Sequence, residues 1–163
     1  MIERSKVIQV VLPQLQWDLP TGGLALPQPA KLAGAITLAH GLSQIFLMAA
    51  FHGWDGFALA IVAIDAVIGV ALLRGSTTAE AWLRFRVAAG FLLFAPAILL
   101  AGDFAGLVAM LALWTGQFAL VTPEFRKTVG SGQAAGLAAA GLVGGFGLCV
   151  AHGLGIYAPT ALV

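Results

Sequence analysis

The sequence predicts an all-α, polytopic integral membrane protein with five spanning helices, its N-terminus in the cytoplasm and its C-terminus outside. Three observations lead there. Of 163 residues, 60% are hydrophobic and only 9% charged, with a mean hydropathy of +0.98. A soluble domain carries about a quarter charged residues, so this surface is not built to face water and the lipid bilayer is its expected surrounding. The apolar residues then fall into five stretches of near-spanning length. Finally, the basic residues fall on one side of the membrane once five crossings are counted.

Residues 1 to 31 read as a non-spanning N-terminal arm. Val7 to Leu12 is too short to cross, and Pro13, Pro20, Pro27 and Pro29 punctuate the rest of the arm. Trp17 suits the headgroup level. Pro13 interrupts the apolar run and no small-residue cleavage site comes after it, so the arm reads as mature protein rather than a secretory signal.

Residues 32 to 163 form the transmembrane domain. The expected spans are Leu32 to Phe51, Phe57 to Leu73, Ala81 to Ala101, Phe104 to Val121 and Ala134 to Ala158. Each approximates the roughly 20 residues a helix needs to cross about 30 Å of hydrocarbon. Backbone groups find no water there, so each span must be helical, and the runs lack the alternation of a barrel strand. In the third, Arg84 and Arg86 are expected to snorkel toward the headgroups and Pro96 to kink the helix. Tight links at residues 52–56 and 101–104 imply helical hairpins. Asp55 and Asp103 are placed to cap the second and fourth spans, and Ser76 or Thr78 to cap the third.

Arg4, Lys6, Lys31, Arg74, Arg84, Arg86, Arg126 and Lys127 all lie on the side of the N-terminus, and the opposite side carries no Lys or Arg. The positive-inside rule then puts the N-terminus in the cytoplasm of a cell inner membrane.

Several functions lose their basis in composition. A net charge of +1 and the lack of a basic, aromatic-interleaved patch give no reason to expect nucleic acid. A single cysteine, Cys149, excludes an internal disulfide, a CxxC redox pair and a thiolate metal cage. No nucleophile elbow, zinc-protease helix, phosphate loop or dinucleotide fingerprint occurs, so an enzyme is not the expectation.

Polar side chains inside lipid are costly and mark function. His40, Gln44, Asp65 and Gln117 are the candidate intramembrane cluster. Counted at about 1.5 Å per residue from the outer helix ends, Asp65, His40 and Gln117 lie roughly 12, 17 and 20 Å deep. Thr37, His40 and Gln44 share one helical stripe. A buried Asp beside a His can share a proton or fix the imidazole tautomer, which suits a small transporter or proton conductor. It also suits plain interhelical bonding, worth about 1 kcal/mol, and with no second buried charge in view that reading stands ahead. A third reading takes His40, His52 and His152 as ligands to haem or a chlorophyll-type pigment. The phrase Ala-His-Gly-Leu recurs at Ala39 and Ala151, at unequal depths. A metal held by His52, His152 and the two capping aspartates is conceivable chemically, but capping already accounts for each Asp.

Small residues repeat every fourth position in the last span: Gly132, Gly136, Ala140 and Gly144, and Gly141, Gly145, Cys149 and Gly153. Such ridges allow close helix approach. With the arm and the lack of a catalytic set, they make a non-catalytic subunit or assembly partner of a larger inner-membrane complex, contacting other membrane-protein subunits, the leading expectation.

Overall fold

A computed structural model describes residues 28–158. The arm up to residue 27, including Trp17 and the Val7 to Leu12 run, lies outside the described residues. The described chain is entirely helical: α1 (Pro29–Leu47), running on through a π-helical turn (Met48–His52), then α2 (Gly56–Leu73), α3 (Thr77–Leu100), α4 (Phe104–Val121), α5 (Pro123–Val129) and α6 (Ser131–Gly153). Five of these, counting α1 with its π turn as one, are long and apolar enough to cross a membrane.

Local chemistry sets the boundaries. Pro29 opens α1, where its missing N–H costs nothing, so the first helix begins three residues before the expected Leu32. Asp55 accepts from the Ala58 N–H at 3.0 Å, Ser76 from Ala79 at 3.3 Å and Asp103 from Gly106 at 2.7 Å, capping α2, α3 and α4. The links after α2 and α3 share one design. Gly75 (φ +81°) and Gly102 (φ +70°) take the left-handed conformation that ends the helix, and the next residue, Ser76 or Asp103, caps the next one. Helix α3 continues through Pro96. The stretch between α4 and α6 contains the short α5, begun by Pro123, where the sequence reads as a plain polar connection.

The helices pair unevenly. The α1–α2 and α4–α6 contacts are extensive, the α2–α3 contact sparse. Glycine makes the close pairs possible. A Cβ on Gly116 would lie 2.6 Å from the Ala134 carbonyl oxygen, and one on Gly141 would lie 2.5 Å from that of Ala109. In α1–α2, Gly34 and Gly69 play the same part, each facing the other's carbonyl. The inner surfaces meet around Ala33, Leu72, Leu83, Trp114, Leu120 and Ala138. The outer surfaces are also apolar: Val67, Leu92, Leu100 and Val143 are 71, 74, 77 and 70% exposed. Apolar outside and mostly apolar inside, with Thr37, Asp65 and Gln117 as the buried polar exceptions among the described residues, the bundle fits a multi-pass membrane protein.

Candidate functional site

The site forms where α1, α2 and α3 meet. Gly41 on α1 leaves room for Asp65 on α2; a Cβ there would lie 3.4 Å from the Asp65 Cβ. Asp65 is fully buried, at 0% exposure. Its Oδ2 receives two partners, the His40 ring through Nδ1 at 2.7 Å and the Arg86 guanidinium through Nη2 at 2.7 Å. Arg86 Nε also lies against the other oxygen, Oδ1, as an ion-pair contact, while the one hydrogen bond from the guanidinium is that from Nη2 to Oδ2. Arginine remains protonated, and a carboxylate is its natural counter-charge. A carboxylate only accepts, which places the His40 proton on Nδ1 and leaves the Nε2 lone pair free when the ring is neutral. The Ser43 hydroxyl bonds the His40 carbonyl at 2.7 Å, within the same turn.

Two expectations change here. Arg86 does not snorkel to the headgroups: it turns inward to Asp65, because the buried carboxylate offers stronger pairing than interfacial water. The site therefore contains a second charge, largely buried rather than fully enclosed, that the sequence reading does without. Gln117 does not join His40. Its Nε2 donates to the Thr37 hydroxyl at 3.1 Å, and Thr37 in turn donates to the Ala33 carbonyl at 2.8 Å. Thr37 lies about one turn before His40 in α1, about 4.5 Å along the axis, which is the level at which Gln117 arrives on α4. The expected four-residue cluster thus splits in two. Gln117 Oε1 is buried with no partner among the described residues.

Two cavities flank the charged group. The larger, about 910 Å³, runs along the sparse α2–α3 seam. Its polar wall midway is His40, Gln44 and Arg86, with Ser76 and Thr78 at one end; its other walls include Ile64, Val67, Trp82, Phe85, Phe94 and Trp114. The smaller, about 420 Å³, reaches the end of the bundle where α4 begins and α6 ends and is lined by His40, Gln44, His52, Asp103, Cys149, His152 and Tyr157, among others. His40 and Gln44 line both. Asp65 lines neither and acts through its partners.

No family model matches this chain. The search of curated proteins and the search of solved structures also return no match, so function is inferred from the geometry.

His52 and His152 share the smaller cavity with His40. His152 Nδ1 is 3.1 Å from the Tyr157 carbonyl oxygen, and the Tyr157 hydroxyl donates to Asp103 Oδ1 at 2.8 Å. That bond, with lesser contributions from desolvation and the Asp103 charge, raises the Tyr157 pKa above its ordinary value. Asp103 therefore caps α4 and ties down the segment after α6. Among the described residues, no three His, Cys, Asp or Glu side chains gather as a metal site would require.

Arg86 is the residue that sequence reasoning misplaces. The phase of α3 carries the signal: Ala79, Leu83, Val87 and Gly90 form its buried stripe, and Arg86 is beside Val87 and three residues after Leu83, on that same side. Arg84 falls outside it.

Proposed function

We propose that the chain is a multi-pass protein of the cell inner membrane whose His40–Asp65–Arg86 group handles a proton, as the centre of a small transporter or proton conductor. The observation that carries this is Asp65, fully buried in the middle of an apolar helix and held by an imidazole and a guanidinium together. Placing three ionisable groups inside an apolar bundle, one fully and two largely buried, is expensive, and such groups mark proton and ion paths. His40 borders both cavities, so a proton on its Nε2 has space on either side. The N-terminus lies in the cytoplasm on this reading. Among the described residues, Lys31, Arg74, Arg84, Arg126 and Lys127 sit at one end of the bundle, and the opposite links at 53–55, 101–103 and 154–158 carry no Lys or Arg.

Purified protein in liposomes with a trapped pH dye tests the reading. Proton uptake should exceed that of empty vesicles, His40→Gln should lower it at least about tenfold, and Arg84→Gln should leave it unchanged. Absence of flux, or flux indifferent to His40→Gln, refutes it. His40 is a better target than Asp65, since Asp65→Asn leaves the Arg86 charge alone in the interior.

Assembly into a larger complex is a second reading, favoured by the outer face of α6. The ridge through Gly141 is consumed within the chain, by α4 at Gly141 and Gly145 and by Phe51 of the π turn at Gly153, but a Cβ on Gly132 or Gly136 would meet nothing. Native mass spectrometry of protein released gently from its own membranes tests it: added subunit masses support the reading and a bare monomer removes it. The same spectrum detects any bound haem or pigment.

A further inference from the structure

We infer that the α2–α3 groove takes a single-chain lipophilic carboxylic acid, admitted sideways from the bilayer and deprotonated by His40 as Arg86 receives its carboxylate. This inference rests on the proton-handling reading and names the molecule that brings the proton.

Shape is the first ground. The groove, about 910 Å³, is at the upper end of the range for pockets that enclose a drug-sized ligand. Its walls at Ile64, Val67, Phe85 and Leu93 are 50, 71, 65 and 67% exposed, so it opens along the bundle's outer surface rather than to an end. An apolar chain can lie in it while the head reaches the polar wall midway.

Charge is the second. Asp65 and Arg86 cancel, so with the His40 ring in its neutral form, its one proton on Nδ1, the group as a whole is neutral. Only a neutral molecule slides through an apolar groove cheaply, which disfavours a permanent cation or anion. Beside the Gln44 amide, the polar wall then offers two unused functions of ionisable groups. His40 Nε2 is an acceptor with no partner among the described residues, and Arg86 retains at least three of its five N–H donors beside its pairing with Asp65. A neutral carboxylic acid answers both: its O–H bond breaks, the proton forms an N–H bond at His40 Nε2, and the electron pair stays on the carboxylate, which the free edge of the Arg86 guanidinium binds. Asp65 stabilises the new imidazolium. Net charge is zero before and after. An alcohol lacks the acidity to complete the step.

The other elements around His40 do not upset this balance. Helix α4 presents Trp114 and Met110, neither titratable. Across the smaller cavity stand Cys149 and His152 from α6, His52 from the π turn, and Asp103 and Tyr157 beyond the helix ends.

Trp82 and Trp114 line the groove, so brominated stearic acid, a quencher of tryptophan fluorescence, is a suitable probe for the full chain in nanodiscs, with brominated stearyl alcohol as control. The acid should quench saturably and at least about tenfold more tightly than the alcohol. Arg86→Gln should weaken acid binding by about tenfold or more, the range for losing a charged hydrogen-bond donor. Because that variant also leaves Asp65 short of a partner, Ala89→Phe supplies a second test: it fills the groove one turn from Arg86 without touching the ion pair, and should abolish saturable quenching. Equal quenching by acid and alcohol, quenching without saturation, or saturable quenching that survives Ala89→Phe overturns the proposal. Binding is measured without a gradient, so the two readings fail separately. Flux without acid binding leaves the proton reading and removes this one; acid binding without flux removes proton transport and leaves an acid-binding site.

Discussion

Replacing Arg86 by methionine should reveal how the charged group is held. The substitution keeps an unbranched apolar stem and removes the guanidinium, leaving Asp65 at 0% exposure with His40 as its one remaining partner. Breaking a buried ion pair from one side costs about 3–5 kcal/mol, most of it the penalty of the abandoned charge. At about 2–4 °C per kcal/mol for a chain of this size, the melting temperature in detergent should fall by roughly 6–20 °C. The double variant Asp65→Asn with Arg86→Met carries no lone charge, and the amide oxygen of the new side chain still accepts a bond from His40 Nδ1. It should therefore recover most of the loss and melt well above the Arg86→Met single variant. The assay is the fraction of protein still monodisperse on size-exclusion chromatography after heating, read for wild type, both single variants and the double in one cycle. Losses that simply add in the double variant would refute the reasoning, because they would mean that Asp65 and Arg86 are stabilised independently of each other.

Two further outcomes are expected from the same geometry. Gly141→Leu should prevent folding and remove monodisperse protein, since its side chain would drive into the backbone of α4, whereas Gly136→Leu, facing open space on the same helix, should express and melt like wild type; equal behaviour of the pair would refute the assigned face of α6. Tyr157, the chain's single tyrosine, should ionise above the ordinary value of about 10, and Asp103→Asn should bring its tyrosinate absorbance midpoint back toward that value. Because the folded pKa is raised, the stabilising contribution is complete below the unfolded tyrosine pKa and is lost as pH rises through the folded one; an unchanged midpoint in the variant would refute the bond.

The helix pattern is readable because hydropathy is summed over about 20 residues and tolerates local error. The spans begin and end within a few residues of expectation, and Asp55, Asp103 and Ser76 cap where their positions before apolar runs indicate. Single side chains are decided by helix rotation and by neighbours far away in sequence, and there reading is less sure. The contact of His40 with Asp65 is within reach of depth counting. Arg86 is misplaced because arginines two residues apart near a helix start look alike in a hydropathy plot, although only one faces the core. Gln117 is assigned to His40 because depths of roughly 17 and 20 Å differ by less than a helical turn. That margin is too fine to separate His40 from Thr37, the residue Gln117 bonds. The short α5 escapes notice because its seven residues of mixed polarity carry no clear period.

The ion pair between α2 and α3 also has a bearing on biogenesis. The acid precedes its base by 21 residues, so on the proposed membrane reading a ribosome working from the N-terminus delivers the carboxylate to the insertion machinery well before the guanidinium that neutralises it. An aspartate at the centre of a lone inserting helix adds about 2.5–3.5 kcal/mol to the cost of leaving the translocon. Handing over α2 and α3 together as a preformed hairpin, its charges already cancelled, avoids that cost, and the tight Gly75–Ser76 turn between them is built to allow it.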